Sequence, residues 1–166
     1  MRMQYYRDLE EGVIRSSSRI SIRSFYVETS TVNAVEVARN HFNSWNRHDA
    51  DAIVGAFVEG GTYNNPNVDQ PLTGAAIGDF AKSVFAAFPD MSLEIITIGD
   101  TGGGLVALQW VLRGTNTGKL GASTPATGRR VTLPGASFVQ VEGDKIRSER
   151  TYHDRQIVDE QLVSFL

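Results

Sequence analysis

The chain contains no cysteine, so it can form no disulfide, no thiolate nucleophile and no zinc–thiolate site. It has three histidines, His41, His48 and His153, and their scattered positions form no metal-binding pattern. The glycines at residues 102–104 precede a predicted strand rather than a helix, so they lack the helix end that binds phosphate groups. We therefore predict no metal and no cofactor.

A long hydrophobic run and an excess of one charge are also missing. No apolar stretch approaches the roughly 20 residues that span a bilayer, and the start lacks the apolar region of a secretory signal. Sixteen basic and nineteen acidic residues give a net charge of −3, which disfavours nucleic acid or an anionic membrane as a partner. We predict a cytoplasmic protein that binds neither.

The composition that remains suits one domain with a real core, since 41% of the 166 residues are hydrophobic. Residues 1–30 differ from the rest because arginines alternate with serines there. We predict an N-terminal extension, either loosely ordered or forming an extra strand at a sheet edge or against a partner subunit. Residues 31–166 are predicted to form the folded domain.

Helical periodicity fills the first half of this domain. Asn33 and Glu36 resemble a capping box before the first helix. Asp49 can cap a second helix, which we predict to run through Phe57 and to stop at Gly60–Gly61.

A third helix is predicted to begin after Thr73 and to end at Pro89. Its wide apolar stripe predicts a buried face. The residues of that stripe are Ile77, Phe80, Ala81, Val84, Phe85 and Phe88.

Beyond Pro89 the hydrophobic period falls to two, which indicates strands. The predicted strands are residues 91–98, 105–113, 130–141 and 145–153. Pro134–Gly135 predicts a bulge or bend within the third of them, and a short closing helix follows the last. Three helices before an antiparallel sheet predict an α+β fold, in which a curled sheet packs on the helices and encloses a pocket.

Several motifs resemble, in order and spacing, the SnoaL-like branch of the nuclear transport factor 2-like superfamily. They are residues 42–51, 88–91, 113–118, 125–131, 142–146 and 152–154, with Trp110 between the second and third. The similarity covers roughly residues 31–166 and implies that superfamily's cone-shaped fold. It also implies a pocket for a small apolar or aromatic molecule and pairing into a homodimer.

The superfamily includes polyketide cyclases, ketosteroid isomerases, epoxide hydrolases and binding proteins without activity, so the resemblance leaves the function open. Tyr63 and Asn65 resemble the water-holding pair of the epoxide hydrolases. However, the positions of that branch's Arg and Asp on the middle strand carry Leu108 and Trp110, which disfavours epoxide hydrolysis. On the last strand, Thr151 stands where the cyclases and hydrolases have their working aspartate.

His153 and Asp154 are the predicted catalytic acid/base pair, because imidazole titrates near neutral pH and a carboxylate can hold it. Neighbouring strand residues face opposite ways, so Asp154 has a second interpretation as the cap of the closing helix. Glu149 shares the face of His153, but at roughly 13 Å along the strand it is too far for direct contact. His41 and His48 are interpreted as surface or structural residues.

Tyr63, Asn65, Trp110 and Thr151 are the predicted substrate-binding residues, although Asn65 before Pro66 also fits plain turn chemistry. The first hypothesis is an enzyme that moves a proton next to a carbonyl, in an aldol-type cyclisation or an isomerisation. The others are a domain that binds a small molecule without changing it, and a dimerisation module.

Overall fold

The computed structural model describes residues 33–121 and 125–163. The predicted N-terminal extension, residues 1–30, lies outside the described residues. No helix in the described ranges is long and apolar enough to cross a membrane.

The described residues form four helices and six strands. Their order is α1 (Ala34–Asn46), α2 (Ala50–Gly55), β1 (Phe57–Asn64), β2 (Leu72–Thr73), α3 (Ala75–Ala87), β3 (Ser92–Asp100), β4 (Leu105–Thr115), β5 (Arg130–Glu142), β6 (Lys145–His153) and α4 (Arg155–Leu162). The strands form one sheet in the order β2-β1-β6-β5-β4-β3. The predicted α+β class is confirmed.

The sheet is mixed rather than wholly antiparallel as predicted, because β1 pairs with β6 in parallel. The second helix ends at Gly55, and Phe57 is already paired with Ile146 in the sheet. The prediction of a helix through Phe57 is therefore wrong. Gly60 and Gly61 lie within β1, where Gly60 has φ +69° and the register with β6 shifts. They allow a bulge instead of ending a helix.

One further local prediction is wrong, and of the bulge or bend predicted at Pro134–Gly135 the bulge is not found. Thr73 pairs with Thr62 in the sheet, and the residue that precedes α3 is Gly74, which makes no side-chain cap. The predicted bulge at Pro134–Gly135 is absent, because the β4–β5 register is unbroken there. Along β5, pairing with β6 starts at Gly135, which is opposite His153. Pro134 therefore has no partner on β6.

The core lies where the inward side chains of the sheet meet α1, α2 and α3. The three helices and strands β4, β5 and β6 each contribute a fully buried side chain, in chain order Ala38, Ile53, Ile77, Val106, Val139 and Ile146. On β6 the inward positions are Glu149, Thr151 and His153, which follow the period-two alternation of a strand. This strand therefore delivers three polar side chains to the side of the sheet that the helices cover.

The opposite face of the sheet exposes Ile96, Phe138 and Tyr152, each more than 40% accessible. Phe138 and Tyr152 form an edge-to-face pair with ring centroids 6.0 Å apart. The homodimer expected from the resemblance stays a prediction.

Candidate active site

A cavity of about 460 Å³ lies between the inner face of the sheet and the helices. Most of its wall is apolar, and both tryptophans of the chain, Trp45 and Trp110, line it. The aromatic wall is completed by Phe42, Tyr63, Phe80 and Phe88. Such a wall suits a flat, apolar ligand.

A buried carboxylate on this wall forms a hydrogen bond with a buried imidazole. Strand β6 places Glu149 on the inner face, and α1 places His41 opposite it. Glu149 Oε2 lies 2.8 Å from His41 Nε2, and the two side chains are 2% and 0% exposed. Because an unpaired charge is costly in such surroundings, this contact is what allows a carboxyl group to be buried here.

The position of the proton on His41 follows from its neighbours. Trp45 Nε1, one turn along α1, lies 3.3 Å from the same His41 Nε2, and an indole nitrogen can only donate. One imidazole nitrogen cannot donate to Glu149 and accept from Trp45 at the same time. The shorter contact, to the carboxylate, places the proton on Nε2, and Nδ1 is buried without a partner among the described residues.

A chain of hydrogen bonds reaches the second oxygen of Glu149. Trp110 Nε1 donates to Ser137 Oγ at 3.1 Å, which leaves the Ser137 hydroxyl hydrogen for Thr151 Oγ1 at 3.0 Å. Thr151 in turn donates to Glu149 Oε1 at 3.3 Å. Since a carboxylate can only accept, Thr151 uses its hydroxyl hydrogen for Glu149 and must accept from Ser137, so every bond in the chain points toward the carboxylate. Both oxygens of Glu149 therefore have donors, as a carboxylate requires.

Tyr63 lies in the same part of the cavity as a neutral phenol. Burial raises the pKa of Tyr63 well above its ordinary value, and the nearby charge of Glu149 raises it further. Asn65 Nδ2 donates to the Tyr63 oxygen at 3.0 Å, while Asn65 Oδ1 accepts from the backbone of Asn67 at 2.9 Å. Asn65 thus serves both as a turn residue and as a partner of Tyr63.

Of the two residues predicted as acid and base, His153 lines the cavity and Asp154 does not. His153 lines the cavity, where its Nε2 is 3.3 Å from Asn67 Nδ2 and its ring lies 6.3 Å from that of Trp110. Asp154 is exposed and does not line it. Its carboxylate accepts a hydrogen bond from Gln156 N at 2.9 Å and caps α4, which was the alternative role that the sequence suggested for Asp154. The acid/base role of both residues stays a prediction.

His153 makes the stability of the fold depend on pH. Burial lowers the pKa of His153, and the positive charge of Arg155 lowers it further, while Asp154 opposes the change. Below about pH 6.5 the unfolded chain then binds more protons at this residue than the folded chain, so acid favours unfolding. We expect the free energy of unfolding to fall between about pH 7.5 and 5, and to fall less in the His153→Gln variant. Urea denaturation at several pH values measures the free energy of unfolding of the wild type and the variant. The same pH dependence in both proteins would contradict the expectation.

The position of Trp110 depends on the glycine opposite it. Trp110 and Gly135 are partners in the β4–β5 register, and the indole covers the glycine. A Cβ atom at residue 135 would lie 2.3 Å from Trp110 Cζ2, far inside van der Waals contact. Any side chain there must push the indole away from Ser137 or into the cavity.

We expect Gly135→Ala to destabilise the fold by about 1–3 kcal/mol, the usual cost of overpacking. The same substitution should cost clearly less in a Trp110→Leu background, because the ring that it meets is gone. Urea denaturation of the four proteins measures the difference. An equal cost in both backgrounds would show that the indole is not what the alanine meets.

The structure brings together five of the six predicted site residues on one cavity: Tyr63, Asn65, Trp110, Thr151 and His153. Three members of the site were not predicted: Glu149, His41 and Ser137. Strand alternation does place Glu149 on the inner face, but nothing in the sequence pairs it with His41, 108 positions away. No group of three or more potential metal ligands occurs within the described part of the chain.

Solved structures with the same fold support the architecture. AclR of Streptomyces galilaeus, a proposed hydroxylase, is 20% identical with a TM-score of 0.68, over 78% of this chain and 94% of that one. A proposed SnoaL-like polyketide cyclase of Jannaschia sp. CCS1 is 18% identical, with a TM-score of 0.68 over 80% of this chain and 94% of that one.

A third structure, from Catenulispora acidiphila DSM 44928, has a ketosteroid isomerase-like fold and was determined in complex with trimethylamine. It is 21% identical with a TM-score of 0.64, over 76% of this chain and 91% of that one. No curated protein matches the sequence at a significant level. The sequence model of the SnoaL-like domain matches residues 38–149, and the chain therefore belongs to the SnoaL-like family.

Proposed function

We propose that the protein is an enzyme that moves a proton at a carbon next to a carbonyl group, with Glu149 as the general base. One observation carries the proposal: a carboxylate with donors at both oxygens lines an apolar cavity beside a neutral phenol. The two donors hold the carboxylate in one orientation on the cavity wall, which favours proton abstraction from a carbon that is bound beside it.

The proposed reaction uses two groups of the chain. The Glu149 carboxylate takes the proton from the carbon, the C–H bond breaks, and its electron pair enters an enolate. The hydroxyl of Tyr63 donates a hydrogen bond to the oxygen on which the negative charge develops. The raised pKa of Tyr63 keeps that hydroxyl protonated in neutral solution.

The enolate can then follow either course of the first hypothesis. If Glu149 returns its proton to a different carbon, the result is an isomerisation. If the enolate carbon attacks a second carbonyl of the same molecule, a ring closes and the new alkoxide takes up the proton. The similar structure from Jannaschia is named as a proposed polyketide cyclase, which supports the second course, ring closure.

Exchange of the α-protons of β-tetralone in D2O, followed by NMR, tests the proposal. This bicyclic aromatic ketone suits the aromatic wall and needs no knowledge of the natural substrate. We expect the protein to accelerate exchange above the buffer rate. If β-tetralone quenches the tryptophan fluorescence without faster exchange, the chain is a binding domain rather than an enzyme. If it neither binds nor exchanges, both hypotheses lose their support.

A further inference from the structure

An arginine without a carboxylate partner lies at the mouth of the cavity. Arg155 is the first residue of α4, its side chain is exposed, and it lines the cavity beside Asn67 and His153. Its one hydrogen bond in the described structure is long, 3.5 Å from Nη1 to the carbonyl oxygen of Pro66. The ion pairs found among the described residues do not include it.

Two carboxylates lie near Arg155, but neither is in an ion pair with it among the described residues. Asp159 also lines the cavity, and Asp154 caps α4 just outside it. Burial is the main cause of the lowered pKa of His153, the charge of Arg155 lowers it further, and Asp154 opposes the change. Because Arg155 lines the cavity and is exposed, it can bind an anionic group of a molecule that enters.

The arginine and the buried carboxylate of the cavity wall differ in exposure, and the exposed part of the wall also carries Asp159. Glu149 is buried and repels an anion, whereas Arg155 is exposed and attracts one. A molecule with an acidic group would be oriented by this difference, since its acid would stay at the mouth and its apolar body would enter.

We propose, resting on the proposed function, that the substrate is an amphipathic acid: a flat apolar body with one carboxylate or similar anion that Arg155 holds at the mouth. A guanidinium can bind a carboxylate with two parallel hydrogen bonds, which fixes direction as well as affinity. The reacting carbonyl is thereby directed toward Glu149 and Tyr63, at the buried part of the cavity.

Two fluorescent probes of almost the same shape test this. Anilinonaphthalene sulfonate carries an anion, and phenylnaphthylamine is its neutral counterpart. Energy transfer from Trp45 and Trp110, which both line the cavity, reports binding of either probe to the protein. We expect the anionic probe to bind about tenfold more tightly than the neutral one, the lower end of what a hydrogen bond to a charged group contributes.

Variants identify the group responsible. Arg155→Gln should remove the preference by weakening the anionic probe alone, and Asp159→Asn should increase it by a few fold, on the order of a weak exposed charge contact. Arg150→Gln is the matched control, because Arg150 is an exposed arginine on β6 that does not line the cavity. It should leave both affinities unchanged.

Each other outcome has a distinct meaning. Equal affinity for the two probes, or a preference that survives Arg155→Gln, overturns this inference and leaves the proposed function intact. Binding that is lost in a Phe138→Ser, Tyr152→Ser double variant would place the probe on the outer face of the sheet and also overturns it. Failure of both probes to bind, together with no exchange of β-tetralone, would overturn the proposed function as well.

Discussion

Replacing Glu149 with glutamine should slow the protein-dependent exchange of β-tetralone α-protons by about a hundredfold or more, the usual contribution of a general base. The amide cannot take up a proton, yet it has the size of the carboxyl group and can still form hydrogen bonds with His41 and Thr151. Loss of activity would therefore reflect lost basicity rather than lost folding. NMR exchange rates, with circular dichroism as the folding check, measure both.

The matched control is Glu142→Gln, since Glu142 is an exposed carboxylate at the end of β5 and lies outside the cavity. Its variant should keep the full rate. The same assay on His153→Gln and Asp154→Asn tests the acid/base roles that the sequence predicts for those residues. If Glu149→Gln keeps a rate within about twofold of the wild type, Glu149 is not the base.

Replacing His41 with leucine should destabilise the fold by about 3 kcal/mol or more at pH 7, the cost of leaving a buried charged acceptor without its hydrogen-bond donor. Leucine fills a similar volume, so the loss would come from the carboxylate of Glu149, which is 2% exposed and would keep only the contact with Thr151. Urea denaturation measures the change in the free energy of unfolding, provided that the dependence on urea concentration is the same in both proteins.

A second substitution separates this cost from ordinary packing. In the Glu149→Gln background no charge is buried at the site, so His41→Leu should cost much less there, and the difference is the coupling between the two residues. Equal costs in the two backgrounds would mean that His41 contributes only as a packed side chain.

Elements with strong local signals could be predicted from the sequence. Asn33 and Asp49 cap α1 and α2 as their types suggest, and β6 has the predicted bounds. These features depend on groups a few residues apart, such as a cap oxygen and the amide two or three positions later. The fold class followed from the change of period beyond Pro89.

Features that depend on distant partners could not be predicted. Phe57 follows a helix and precedes two glycines, yet it lies in a strand because β6 pairs with it. Its neighbour Ala56 accepts a backbone hydrogen bond from Ile146 N at 2.8 Å. Only the assembled sheet supplies that donor.

The same limit explains why the candidate site was only partly predicted from the sequence. Alternation along β6 correctly grouped Glu149, Thr151 and His153, but Glu149 was considered only as a partner of His153 on the same strand and was too distant for that contact. The partner that makes a buried carboxylate tolerable is His41, which α1 brings from far away in the sequence. A glutamate on the inner face of a strand is itself the signal, because such a position predicts an unseen partner.

The pairing of β1 with β6 also limits how early the sheet can be completed while the chain is being synthesised. Translation adds roughly 5–20 residues per second, so His41 and Tyr63 leave the ribosome on the order of ten seconds before Glu149. During that interval β1 lacks its neighbour β6, although β3, β4 and β5 are already synthesised. The candidate site can therefore form only after the last strand of the sheet has been synthesised, and the nascent chain should depend on chaperones until that strand pairs with β1.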